Sequence, residues 1–275
     1  MQLHVHRLGD PSRPVLLLVH GSLLDGLRTW VAQRPLADRF RLLIPDRRGY
    51  GRSRPSDRED FEIDAGDLVE LLAGLPVGAH LAGHSYGGLV ALLAAASLPA
   101  NVRSLTVIEP PAVGIAPDDP AVRSFVARLQ ALFASGASSP EALLAGFLEI
   151  VGIPPPQPGP LSPSLARGVR LLTTSRPPWE ASLPIDALRG AAIPFLAVSG
   201  GHEPAFEVIS DGLAAALDGE RAVIEGGGHA VPYAGEAFNA RLAAFVEAVE
   251  AARAARTTRP VARPSTPTAG RAGAP

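Results

Sequence analysis

In Gly83-His84-Ser85-Tyr86-Gly87-Gly88 a serine stands between two glycines, each two positions away. The run before it, Ala79-His80-Leu81-Ala82, is short and apolar like a buried strand; the run after it, Leu89 to Ala96, is Ala- and Leu-rich and helix-forming. A serine at so sharp a strand-to-helix turn exposes its hydroxyl above the sheet edge, and the turn leaves no room for side chains at Gly83 and Gly87. The following helix aims its first N–H groups, that of Tyr86 included, at any negative charge forming beside Ser85. The chemistry this suggests is nucleophilic acyl transfer. A hydroxyl is a weak nucleophile near neutrality, so a base must stand within hydrogen-bond reach, and an imidazole titrating near about 6.5 suits that task.

The elements around this turn alternate. Leu3–Arg7 reads as an edge strand, Pro14–His20 as a buried parallel strand, Phe40–Pro45 as another, and Asp46–Ser53 as a glycine-punctuated turn. Trp30–Ala37 reads as a short helix. Phe61–Leu75 reads as an amphipathic helix with Ile63 on its apolar stripe and Glu62, Asp64, Asp67 and Glu70 on the polar one. Val102–Ile108 is a strand closed by Glu109-Pro110-Pro111. From 111 to 189 only helices are expected, over 122–133, 140–151 and 165–173, interrupted by the proline-rich stretch 154–160. Strand, helix, strand and helix then resume at Pro194–Ser199, Ala205–Leu217, Arg221–Ile224 and Glu236–Glu250. Strands separated by helices imply right-handed crossovers and an α/β fold with a doubly wound, mostly parallel sheet. Residues 1–110 and 190–256 form the core, 111–189 an all-helical lid, and 257–275, which lack periodicity, a disordered tail.

Composition limits what such a turn can serve. The chain has 275 residues, of which 47% are hydrophobic and 19% charged, enough for one sizeable core. A net charge of −2 with no basic stripe argues against nucleic acid as a partner. The apolar runs fall far short of the ~20 residues needed to span a bilayer, and the first residues lack a signal-peptide pattern, so no membrane partner and a cytoplasmic location are expected. The absence of cysteine rules out disulfides and a thiol nucleophile. Neither a metal nor a cofactor is expected.

Three stretches together, His20-Gly21-Ser22-Leu23-Leu24-Asp25, Asp46-Arg47-Arg48-Gly49-Tyr50-Gly51-Arg52-Ser53 and the Ser85 turn, resemble the α/β-hydrolase fold superfamily over roughly residues 14 to 250. The resemblance implies a nucleophile at Ser85, a base at His229 and an oxyanion site from the backbone N–H groups of Ser22 and Tyr86. His229 follows the last strand in the loop Gly226-Gly227-Gly228 and completes the chain order serine, acid, histidine. Of the other six histidines, His4 and His6 lie on an edge strand, His80 within a strand and His84 beside the turn. His20 ends a strand, and His202 shares a loop with Glu203.

Two glutamates qualify as the acid. Most members of the superfamily carry an aspartate after the strand that follows the lid, and the matching turn here, Ser199-Gly200-Gly201-His202-Glu203-Pro204, offers Glu203. Glu109, at the end of the strand before the lid, is the second candidate. Glu203 is preferred for its Gly-x-x-acid spacing. Asp25 and Asp46 are expected to fix turns, Arg47 and Arg48 to form a solvated pair, and Trp179 to line a substrate pocket or pack the lid. The expected reaction is cofactor-free hydrolysis of a small-molecule ester or lactone. The same residues would also serve C–C hydrolysis, lyase or perhydrolase chemistry, or a non-enzymatic receptor.

Overall fold

Seven strands form one sheet in the order β1-β3-β2-β4-β5-β6-β7, with β1 (Val5–Leu8) antiparallel to β3 (Arg41–Pro45) and every other pairing parallel. The other strands are β2 (Val15–Val19), β4 (Ala79–His84), β5 (Val102–Ile108), β6 (Phe195–Ser199) and β7 (Glu220–Val223). This computed structural model describes residues 3–154, 157 and 159–257. The expected tail from 258 onward, and part of the proline-rich stretch at 154–160, lie outside the described residues.

Central strands are apolar on both faces because both are covered. Leu17, Val19, Leu81 and Val107 point into one layer with α2 (Phe61–Ala73) and α3 (Tyr86–Ser97). Their neighbours Leu16, Leu18, Ala82 and Ile108 point into the other, against Trp30, Phe40 and α9 (Glu236–Thr257). The polar stripe expected on α2 is corrected in part: Asp64 is buried, while Ile63 is 41% exposed. The buried face runs through Phe61, Asp64, Ala65, Leu68, Leu71 and Leu72, and Asp64 is tolerated there because Arg47 meets it.

Among the described residues four α-helices lie between β5 and β6, α4 (Pro120–Ala134), α5 (Pro140–Ile150), α6 (Pro163–Thr173) and α7 (Ile185–Ala191), one more than the sequence suggests. The first three start alike. Asp119, Ser139 and Ser162 accept backbone N–H bonds from the first turn, and each is followed by a proline, whose missing N–H costs nothing at that position. The same grammar opens α8 (Pro204–Ala216), where Glu203 is the cap. A small apolar cluster of Leu23, Leu143, Leu144, Leu148, Val169 and Leu172 ties α5 and α6 to the loop after β2.

Candidate active site

Ser85 sits between β4 and α3 with φ 53° and ψ −127°, a backbone conformation a side-chain-bearing residue rarely adopts and one that costs on the order of 1–3 kcal/mol. The flanking glycines are a steric necessity. A Cβ on Gly83 would lie 2.3 Å from the Gly87 carbonyl oxygen, and one on Gly87 2.4 Å from that of His20. Ser85 Oγ lies 2.9 Å from His229 Nε2, and His229 Nδ1 lies 2.7 Å from Glu109 Oε2.

The acid geometry corrects the preference for Glu203. Glu109 follows β5 directly at φ 45° and is wholly buried; its Oε1 accepts the Gly200 N–H at 2.6 Å. Burial alone would raise its pKa, but the neighbouring imidazoles of His202 and His229 and the Gly200 N–H outweigh it and hold the carboxyl down at about 2. Glu203 makes no such contact. It caps α8 through Ala205 N–H and pairs with Arg128 at 2.8 Å.

Other histidines steady this trio. His84 Nε2 lies 2.8 Å from the His229 carbonyl oxygen; burial pulls its pKa to about 3, so the ring is neutral and donates there through Nε2–H. Phe206 stacks on the His229 ring at 4.7 Å and 19°. His20 is fully buried: Nδ1 donates to Gly21 O, and Nε2 accepts the Arg47 N–H.

Arg47 corrects the expectation of a solvated pair. It is 3% exposed and donates to the His20 and Gly21 carbonyls, to Asp64 at 2.6 Å and to Glu59. Glu59 also accepts from Ser22 Oγ and Tyr50 OH, and Tyr50 OH accepts the Leu23 N–H. The guanidinium stands 4.7 Å over the Tyr86 ring. The loop carrying Ser22 is thus fastened by a buried ionic cluster that sequence reading missed, since Glu59 and Asp64 resemble ordinary surface acids. Arg48 forks onto Asp67 through Nε and one terminal nitrogen. Asp25 caps the short helix α1 (Gly26–Thr29), and Asp46 accepts Gly26 and Arg52 N–H groups, as expected of turn-fixing carboxylates.

His4, His6 and Asp46 approach one another at metal-ligand range, a His-x-His spacing overlooked in expecting no metal. The Asp46 oxygens are already taken by the two N–H groups and by His6 Nε2 at 3.1 Å.

Two apolar cavities meet at Ser85 and His229. One, of about 380 Å³, is lined by Phe125, Leu129, Trp179 and Phe206 together with Ser22 and Tyr86. The other, of about 400 Å³, is lined by Leu23, Leu144, Leu148, Ile153 and Tyr233. Phe147 and Ser22 border both. Among the described residues no helix is long and apolar enough to cross a membrane.

Residues 16–245 match the model of the alpha/beta hydrolase family, and the chain belongs to that family. The serine hydrolase BPHL of Mus musculus is 39% identical over 114 residues, which cover 39% of this chain and 39% of that protein. The chain thus spans about two fifths of the length of the curated relatives it matches. An alpha/beta hydrolase structure from Sphaerobacter thermophilus DSM 20745 is 26% identical, with a TM-score of 0.59, covering 80% of this chain and 88% of that one. The enol-lactonase from Burkholderia xenovorans LB400 shares the fold at 20% identity and a TM-score of 0.63, covering 89% of this chain and 94% of that one.

Proposed function

We propose that this member of the alpha/beta hydrolase family is a serine hydrolase that cleaves a small apolar ester or lactone through an acyl-enzyme on Ser85. The observation that carries the reading is the continuous chain of contacts, Ser85 Oγ to His229 Nε2 at 2.9 Å and His229 Nδ1 to Glu109 Oε2 at 2.7 Å. His229 Nε2 takes the hydroxyl proton as Ser85 attacks the acyl carbon, and returns it to the leaving alcohol. The ionised Glu109 fixes the Nδ1–H tautomer and stabilises the imidazolium. The N–H groups of Tyr86 and Ser22 hold the oxyanion, and water then releases the acyl group. Because Ser22 belongs to the loop fastened by Arg47 and Glu59, its N–H is held in place before substrate arrives.

The two cavities favour a substrate with an apolar group on each side of the carbonyl, one over Phe125 and Trp179, the other over Leu144 and Leu148. The helices between β5 and β6 supply most of these walls and act as the lid. Turnover of short-chain 4-nitrophenyl esters and labelling of Ser85 by a fluorophosphonate probe test the reading. Both are expected in the natural protein and neither in Ser85→Ala. Labelling without turnover would point to a receptor, and no labelling would overturn the nucleophile.

A further inference from the structure

Glu109 has a second imidazole on it. His202 Nδ1 lies 3.4 Å from Glu109 Oε1, the oxygen not bonded to His229, and His202 Nε2 lies 2.9 Å from the carbonyl oxygen of Val151, just past the end of α5. A carbonyl oxygen only accepts, so Nε2 carries a proton. A neutral ring would then turn the bare Nδ1 lone pair toward a buried carboxylate, setting acceptor against acceptor. Adding the second proton turns that repulsion into a charge-assisted contact.

We propose that His202 is a positioning residue, held as an imidazolium that clamps Glu109 Oε1, the oxygen that also accepts the Gly200 N–H, to the C-terminal end of α5. The inference rests on the proposed function for its consequence in catalysis, though not for its protonation state. Around the ring stand Glu109 at the end of β5, Glu203 at the start of α8 and His229, whose ring lies 6.5 Å away. Partial burial opposes the charge on His202, but the Glu109 carboxylate outweighs it and the pKa is raised. The fit on the α5 side is close. Gly152 adopts φ +71°, and a Cβ there would lie 2.2 Å from His202 Cδ2. A seated α5 and an oriented acid are therefore one arrangement, and Glu109 Oε1 gains a second donor beside the Gly200 N–H only while His202 is charged and Val151 is in place.

Two measurements on the full chain test this. Imidazole nitrogen shifts in an NMR titration should show His202 doubly protonated at neutral pH, losing its Nδ1 proton above the ordinary histidine range; a neutral His202 at neutral pH would overturn the proposal whether or not the protein is a hydrolase. In kinetics with a 4-nitrophenyl ester, kcat should decline several-fold on an alkaline limb as His202 loses its charge, while KM stays constant. His202→Gln, which cannot titrate, should show the lower kcat at all pH values, without that limb and with the fluorophosphonate still labelling Ser85. Gly152→Ala, which pushes the ring, should lower kcat in the same way. A wild-type pH profile and kcat in His202→Gln would overturn the proposal, whereas the failure of Ser85→Ala to abolish turnover would instead discredit the serine hydrolase reading.

Discussion

Strands β5 and β6 both run out into turns that carry a glutamate followed by a proline, yet Glu109-Pro110 and Glu203-Pro204 end in opposite surroundings. Glu109 is the residue directly after its strand. Its N–H still bonds to Val198 of β6 at 3.0 Å, so its backbone belongs to the sheet, and the positive φ swings the side chain into the interior toward His229. Glu203 lies four residues beyond Ser199 in extended backbone at φ −119°, where its carboxylate meets the Ala205 N–H of α8 and Arg128. The difference is one of backbone distance from the sheet edge. An acid adjacent to the strand is aimed by the sheet, and one carried further is captured by the nearest helix start.

Removing each group in turn sharpens that contrast. The largest loss belongs to Ser85→Ala, expected to lower kcat by several orders of magnitude with the melting temperature nearly unchanged, since only a hydroxyl is lost. Glu109→Gln should follow, at about 10³–10⁴-fold in kcat, because an amide orients the imidazole wrongly and cannot stabilise its charge. Near-normal activity in a folded Glu109→Gln protein would return the acid to another position.

Acid titration separates the Glu109 carboxylate from the two imidazoles of β4. Burial holds the folded-state pKa of His80 at about 4 and that of His84 at about 3, below the unfolded value of 6.5. Between those limits the unfolded chain binds more protons, so stability is present near neutrality and is lost as pH falls from 6.5 toward 4. Glu109, lowered from 4.5 to about 2, contributes stability above 4.5 that is lost only on further acidification toward 2. Asp64, raised by burial to about 6, works the other way as pH falls below 6, but three lowered histidines, His20, His80 and His84, oppose that one group, so the melting temperature should already drop between pH 7 and pH 4.5, before Glu109 protonates. A flat melting temperature over that range, measured by differential scanning fluorimetry, would contradict the neutral, buried imidazoles.

Most of the strand and helix order was legible in the sequence because both-face apolar runs and one-face apolar stripes leave different periods, as at Val15–Val19 and Glu236–Glu250. Ser85 was legible because its turn demands glycines at fixed places. What the sequence hid depends on contacts across the sheet edge. Arg47 looks exposed until Glu59 and Asp64, 12 and 17 residues on, are brought beside it. His84 and His202 look incidental until the His229 carbonyl and the Glu109 carboxylate arrive from 145 residues further along the chain and from the end of a different strand. Asp119-Pro120, Ser139-Pro140 and Ser162-Pro163 repeat the pattern of a cap followed by proline that Glu203-Pro204 completes, but Glu109-Pro110 carries the same pair, so this local grammar did not choose between the two glutamates.

The smallest expected effect tests that grammar most directly. In Glu203→Gln the side chain keeps an oxygen for the Ala205 N–H, a contact already long at 3.4 Å, and loses its charge beside the helix start and Arg128. A carboxylate at a helix N-terminus contributes about 0.3–1 kcal/mol. The pair with Arg128, whose side chain is 41% exposed, contributes about 0.2–1 kcal/mol after solvent screening. Together these predict a loss of about 1 kcal/mol, a fall of roughly 2–4 °C in melting temperature for a domain of this size. Because neither contact reaches His229, kcat/KM should stay within about twofold of wild type, far from the ~10³-fold loss of a triad acid. Arg128→Gln should lower the melting temperature by a similar or smaller amount and, combined with Glu203→Gln, add little, since the two share one ion pair. A kcat loss approaching that of Glu109→Gln, with the fold intact, would show that Glu203 reaches His229 during turnover.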